Sequence, residues 1–266
     1  MVKGLYTAHT GMVNEMLRLD IMSNNLANAD TTAYKKEGTT STTFADELAF
    51  RIRDTSDAGL PKRLGGITYC TKLGQVYTDY STGNMKVTDN DTDFAINGNG
   101  FFAIAFTNKA GETSVKYTRD GAFTVNKEGY LVTKDGDYVL NANGAMTGNP
   151  AQENFVRVDP NARLQVNALG QIYQNNELAD TIGLVDFDNY DYIEKYGENL
   201  YNLADGGQVT ASDATMEQGT LETSNVNVVS EMVNMITIQR AYEAGQKVIT
   251  SIDETLDTSV NQVGKV

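Results

Sequence analysis

Residues 225–266 read NVNVVSEMVNMITIQRAYEAGQKVITSIDETLDTSVNQVGKV, and this stretch decides the architecture. Val228, Met235, Tyr242, Ile249, Leu256 and Val263 recur every seven residues, and Ile238 and Ile252 supply a second row. A seven-residue apolar repeat places a seam along one side of a helix, as in coiled coils. Such a helix of ~40 residues would be ~60 Å long, far longer than a compact domain needs. Burying one large apolar side chain contributes roughly 1.5 to 3 kcal/mol, while ordering each residue costs on the order of 1.5 kcal/mol before hydrogen bonding is counted. Alone, the helix would be marginal, so its seam calls for a partner.

The opposite end of the chain supplies one. Leu5, Ala8, Met12, Leu19, Met22 and Leu26 recur at steps of three, four or seven, predicting a helix from residue 1 to about 28. It should end near Asn24-Asn25-Leu26-Ala27-Asn28, because Asn tolerates the left-handed backbone of a C-cap and Thr31-Thr32 favour extended structure. The two stripes can pair with each other and still leave surface for neighbouring subunits; an ordinary intramolecular helix hairpin is the other reading. The candidate assembly residues are therefore Leu5, Met12, Leu19, Leu26, Val228, Met235, Tyr242, Ile249, Leu256 and Val263.

Between these ends the pattern changes. Short runs rich in aromatic and β-branched residues alternate with Gly, Asn and Asp turns at 93–97, 101–106, 115–118, 122–125, 130–133, 138–140, 163–166, 171–173 and 182–187. This spacing predicts antiparallel β-hairpins, with turns at Gly98-Asn99-Gly100 and Lys127-Glu128-Gly129, where Gly reaches positive φ without a Cβ clash. The fold class expected is a mainly β central domain with N- and C-terminal α-helices forming a coiled-coil-like paired-helix domain. The segments are 1–38, an axial helix and signature; 39–88, a linker that is extended, partly β or ordered only on assembly; 89–219, a β-rich domain; and 220–266, the C-terminal axial helix.

Composition narrows the function. A net charge of -14 and a pI of about 4.5 repel phosphate backbones and anionic lipid, which argues against nucleic-acid binding. Cys70 is the single cysteine, so neither an internal disulfide framework nor a multi-Cys metal site is available. No run of ~18 apolar residues offers a membrane span. The apolar stretch 5–26 is interrupted by His9, Glu15, Arg18 and Asp20, unlike a cleavable signal peptide.

Several chemical signatures fail on context. Gly98-Asn-Gly100-Phe-Phe-Ala103 fits a dinucleotide fingerprint, but that motif must open a helix whose N-terminus receives the pyrophosphate, and here it opens a strand. Asp89, Asp91 and Asp93 mimic the start of a calcium loop, yet Phe94 stands where Gly is needed and Gly100 where a bidentate Glu is needed. His9 is the only histidine and has no neighbouring nucleophile in its helical pattern. The Asp186, Asp188, Tyr190, Asp191 and Tyr192 cluster reads as a soluble strand end and loop, although paired carboxylates leave a glycosidase-like alternative open. No catalytic, cofactor-binding or metal-binding residues are assigned, and the chain is read as no enzyme.

Two terminal motifs carry a family resemblance. Asn24-Asn25-Leu26-Ala27-Asn28, followed by Thr31-Thr32-Ala33-Tyr34-Lys35, resembles the N-terminal signature of flagellar rod and hook proteins, with Ala33 in place of the usual Gly. Residues 221–227, Leu-Glu-Thr-Ser-Asn-Val-Asn, with Glu231-Met232-Val233 and Gln239-Arg240-Ala241-Tyr242-Glu243, resemble the C-terminal signature. In the centre, Phe94-Ala95-Ile96 to Gly100-Phe101-Phe102, Tyr117-Thr118-Arg119-Asp120-Gly121, Gly129-Tyr130-Leu131-Val132-Thr133 and Gly197-Glu198-Asn199-Leu200-Tyr201 resemble the β-domain of rod subunits.

The chain is accordingly identified as similar to the flagellar basal-body rod protein family. The resemblance implies a paired-helix inner domain made from both termini and an outer β-domain, with subunits stacked around an axial channel. It further implies transmission of torque, assembly with copies of itself and with other axial proteins of rod and hook, and export through the flagellar type III apparatus. The implied location is the basal body, in the periplasm or cell-wall space. Length and the 197–201 stretch lean towards a distal rather than a proximal rod subunit. The alternative from another class is a secreted carbohydrate-binding or carbohydrate-acting β-domain protein.

Overall fold

A computed structural model describes residues 2–44, 47–51, 62–68, 70–109, 111–160, 162–197 and 199–264. The chain opens with α1 (Val2–Ala27), then β1 (Glu37–Thr43), β2 (Glu47–Arg51), β3 (Lys62–Ile67), β4 (Thr71–Thr78), β5 (Met85–Val87) and β6 (Phe94–Asn97). The central run continues with β7 (Phe101–Thr107), β8 (Thr113–Thr118), β9 (Thr124–Val125), β10 (Leu131–Val132), β11 (Tyr138–Val139) and α2 (Ala142–Thr147). It goes on through β12 (Gln165–Val166), β13 (Gln171–Gln174), β14 (Glu177–Thr181), β15 (Leu184–Phe187), β16 (Ile193–Gly197) and β17 (Leu200–Leu203). The chain closes with β18 (Val209–Ala211), β19 (Thr215–Gln218), β20 (Thr220–Glu222) and α3 (Val228–Thr258), which runs into a π-helical turn over Ser259–Val263. The protein is thus mainly β with a long helix near each end.

Two compact units divide the chain. Unit 1 comprises Met1–Ala27, Lys36–Asp79 and Asn227–Val266, and unit 2 comprises Asn28–Lys35 and Tyr80–Val226. In unit 1, α1 and α3 pack along each other, and β1 pairs antiparallel with β4 beside α1. β2 pairs with β3 further along the same excursion. The described part of segment 39–88 is therefore largely two-stranded ribbon, with the Thr-rich β1 mostly exposed along its second half.

Unit 2 is organised by β7, whose sequence Phe-Phe-Ala-Ile-Ala-Phe-Thr has no polar alternation because both faces are covered. Phe102 and Ile104 point into a cluster with Phe94, Phe123, Leu131 and Ile172. Phe101, Ala103 and Ala105 point the other way, into a cluster with Tyr117, Phe187 and Tyr201. The period of two along a strand produces this division. β7 pairs with β8 along one edge and shares its other edge between β11 and β15, within a sheet ordered β16-β17-β8-β7-β11-β10-β9. β12, β13 and β14 form a separate meander.

One turn differs from its sequence reading. Gly98 and Gly100 adopt φ of 121° and 154°, yet the flanking strands do not pair with each other: β6 pairs with β19 and β7 with β8. The Gly-Asn-Gly segment is a crossing between sheets rather than a hairpin turn. Gly98 there offers its carbonyl to the Arg119 guanidinium at 2.8 Å. Lys127-Glu128-Gly129, by contrast, does join the paired strands β9 and β10, with Gly129 at φ 82°.

Candidate assembly surface and signature cluster

In unit 1 the two helices run antiparallel. A Cβ on Gly4 would lie 3.7 Å from Ile252 Cδ1, and one on Gly245 would lie 2.7 Å from Met12 Cγ. Further along, Glu15, Met16 and Leu19 face Gln239, Tyr242 and Glu243 across a groove of about 560 Å³. At Gly245 α3 packs closely on α1, where the absence of a side chain leaves room for Met12.

The row of α3 most turned into the packing is Glu231, Ile238, Gly245 and Ile252. Glu231 and Ile238 are the buried residues of α3, with Gly245 and Ile252 half-buried. In the sequence-derived row, Val228, Tyr242 and Leu256 are exposed at 41%, 36% and 42%, and Met235 and Ile249 are half-buried. The Val263 side chain lies outside the described residues. On α1, Leu5 is exposed, whereas Met12, Leu19 and Leu26 are half-buried. A further apolar face on α3, formed by Val229, Met232, Val233 and Ile236, is open to solvent.

Polar residues of α1 and of the turn before α3 tie this unit together. Asn25, 1% exposed, donates from Nδ2 to the Glu37 carbonyl at 2.8 Å and accepts from the Glu37 amide at 2.9 Å, the two-way pairing a neighbouring strand would make. Asn14 donates to Ser41 Oγ at 3.1 Å. Asn227 caps α3 by accepting from the Ser230 amide.

Unit 2 contains a second construction, made from three of the quoted motifs. Lys35 Nζ lies 2.6 Å from Glu222 Oε1, and Arg119 Nη1 lies 3.3 Å from Glu222 Oε2, with all three side chains almost wholly buried. Lys35 also donates to the Ser81 carbonyl at 2.7 Å, and the Gly83 amide donates to Glu222 Oε1 at 2.7 Å. Around them, Thr32 donates to Asp120 at 2.9 Å, Asn199 to the Thr32 carbonyl at 2.7 Å, and Lys195 to the Lys35 carbonyl at 2.9 Å. Burial pushes the Asp120 carboxyl above the usual carboxylate range, against the opposing hydrogen bonds from the Ala122 amide and Thr32.

Ala33, the departure from the family pattern, has φ of 57°, a left-handed conformation that suits Gly better than Ala. Lys35, Arg119 and Glu222 were quoted within motifs but not selected as site residues. Nothing in any one of the three short motifs links its charged residue to the other two.

The segments rejected as chemical sites have structural roles here. Asp93 accepts from Thr88 Oγ1 at 2.7 Å and Asn90 Nδ2 at 3.1 Å. Tyr190 donates to Asp186 at 2.6 Å, and burial with that carboxylate drives the phenol well above its ordinary range. His9 is exposed on α1. No helix among the described residues is long and apolar enough to cross a membrane.

Comparison with known proteins matches three family descriptions to the same regions. "Flagella basal body rod protein" matches residues 5–35, "Flagellar hook protein FlgE/F/G D1 domain" residues 95–174, and "Flagellar basal body rod FlgEFG protein C-terminal" residues 217–263. The flagellar basal-body rod protein FlgG of Bacillus subtilis is 33% identical, covering 98% of this chain and 99% of its own. The chain belongs to the flagellar basal-body rod protein family. FlgF of Caulobacter vibrioides is 34% identical, and the flagellar hook-basal body complex protein FlhO of B. subtilis 30%, each over the full length of both chains.

This rod protein is a structural subunit of the basal body, in a family of structural components that assemble with other flagellar axial proteins. Near-equal identity to relatives named FlgG and FlgF does not sort the chain to a distal or a proximal type. The findings give no support to the carbohydrate-acting alternative.

Proposed function

We propose that unit 1 is the polymerising part of this rod subunit, with α1 and α3 forming a coiled-coil-like pair whose remaining apolar faces bury against neighbouring axial subunits. One observation carries the proposal. Leu5 of α1 and Val228, Tyr242 and Leu256 of α3 remain exposed in the single chain, the last three one helical turn from members of the packed row. Contiguous apolar faces on a soluble protein mark contact surfaces. Met12, Leu19, Leu26, Met235 and Ile249 are only half-buried in the single chain, so a neighbouring helix would complete their burial, and Val263 is the next member of the row in sequence.

Copies of the chain and the adjoining rod and hook proteins are the partners. Close helix packing makes the assembly stiff enough to transmit torque, and the helices line the export channel. The subunit reaches the periplasm or cell-wall space through the flagellar type III apparatus. Removal of residues 245–266 tests this reading. The shortened chain is expected to stay soluble through unit 2 and to be missing from purified basal bodies. Its incorporation at the normal level would overturn the proposal.

A further inference from the structure

We infer that Glu222, with Lys35 and Arg119, forms a latch that folds the two chain crossings as part of unit 2, independently of the helices they lead to. The crossings are the eight-residue segment 28–35 after α1 and the segment 220–226 before α3. Lys35 and Arg119 are 187 and 103 residues away from Glu222 along the chain, yet both reach its one carboxylate.

Backbone pairing follows the side chains. The Ala33 amide donates to the Glu222 carbonyl at 2.9 Å, the Asn225 amide to the Tyr34 carbonyl at 3.3 Å, and the Thr223 amide to the Asn84 carbonyl at 2.8 Å. A Cβ on Gly83 would fall onto the Thr223 carbonyl, so the third strand of chain is pressed against the same point. Arg119 additionally lies 5.3 Å from the Phe101 ring, tying the latch to the core around β7.

The energetics favour an all-or-none device. Removing one member of a buried ion cluster leaves its partners charged, desolvated and unpaired, which is far more damaging than losing an exposed pair. Glu222 is the only anion in direct contact with both cations among the described ion pairs. Its loss removes the carboxylate that Lys35 and Arg119 share, leaving the Ser81 and Gly98 carbonyls to accept from them. While the latch is closed, the chain leaving α1 and the chain entering α3 are joined to each other, which keeps the two helices at high effective concentration for each other. This inference does not depend on the assembly reading.

Hydrogen exchange on the full-length chain in low urea tests it. In the unaltered protein, the Ala33, Gly83, Thr223 and Asn225 amides are expected to open together with β7 and after α3. In Glu222→Gln, an isosteric change, their protection should fall about 100-fold or more and drop out of the β7 group, while β7 itself keeps its protection. Lys35→Met retains the Glu222–Arg119 pair and should shift the same amides in the same direction by about 10-fold, which preserves the test should Glu222→Gln not fold. The latch is refuted if these amides open with α3 in the unaltered chain. It is equally refuted if a folded variant leaves them grouped with β7, or if junction and β7 lose protection equally.

Discussion

Replacing Ile238 by Ala should separate the packed row of α3 from the row left open. Ile238 is 3% exposed against α1, and the change removes three carbon atoms. At about 0.8 kcal/mol per buried carbon the transfer loss is about 2.4 kcal/mol, and a residual cavity brings the total to about 2.5 to 4 kcal/mol. Val228→Ala and Leu256→Ala remove atoms from side chains exposed at 41% and 42%, so each should cost about 1 kcal/mol in the free chain. Far-UV circular dichroism during urea unfolding reads this directly, because α1 and α3 contain nearly all the helix. Equal losses at Ile238 and at the two open positions would refute the assignment of rows. So would a loss at Ile238 below about 1 kcal/mol.

Three other perturbations have defined outcomes. Gly121→Ala places a Cβ onto the Phe94 carbonyl, where two backbones cross and the Phe94 amide already donates to Gly121 at 3.0 Å, so soluble yield or melting temperature should drop sharply, by more than about 3 kcal/mol in stability. Ala33→Gly relieves a left-handed alanine but loses a buried methyl and loosens the unfolded chain, so stability should change by less than about 1 kcal/mol, whereas Ala33→Val should be strongly destabilising. Burial raises the Asp120 carboxyl from its ordinary 3.8, so the folded state holds that proton more tightly than the unfolded chain. Its contribution to stability is complete below about pH 4 and is lost as pH climbs through the raised value; Asp120→Asn should therefore flatten the stability curve towards neutrality, as read by denaturation at stepped pH.

Long-period features were legible in the sequence because they repeat. The two terminal helices and the strands at 101–107, 113–118 and 184–187 follow from apolar periodicity and β-branched or aromatic runs. The row actually buried on α3 was harder to read, since Glu231 and Gly245 occupy two of its positions and neither counts as apolar. Gly245 belongs there through what it lacks, the side chain that would collide with Met12. β1, Glu-Gly-Thr-Thr-Ser-Thr-Thr, carries no apolar alternation, and its pairing with β4 is held by the ladder and by Asn14 and Asn25 of α1. The latch is invisible locally, because its charges come from three remote motifs and acquire meaning only when the fold brings them to one carboxylate.

The central claim is that the open helix faces are covered by neighbouring subunits in the rod. A cryo-electron microscopy reconstruction of basal bodies containing this chain, at side-chain detail, tests it most directly. The account predicts Leu5, Val228, Tyr242 and Leu256 buried against adjacent axial subunits. A rod that lacks the chain, or that contains it with those four side chains facing solvent, would contradict it.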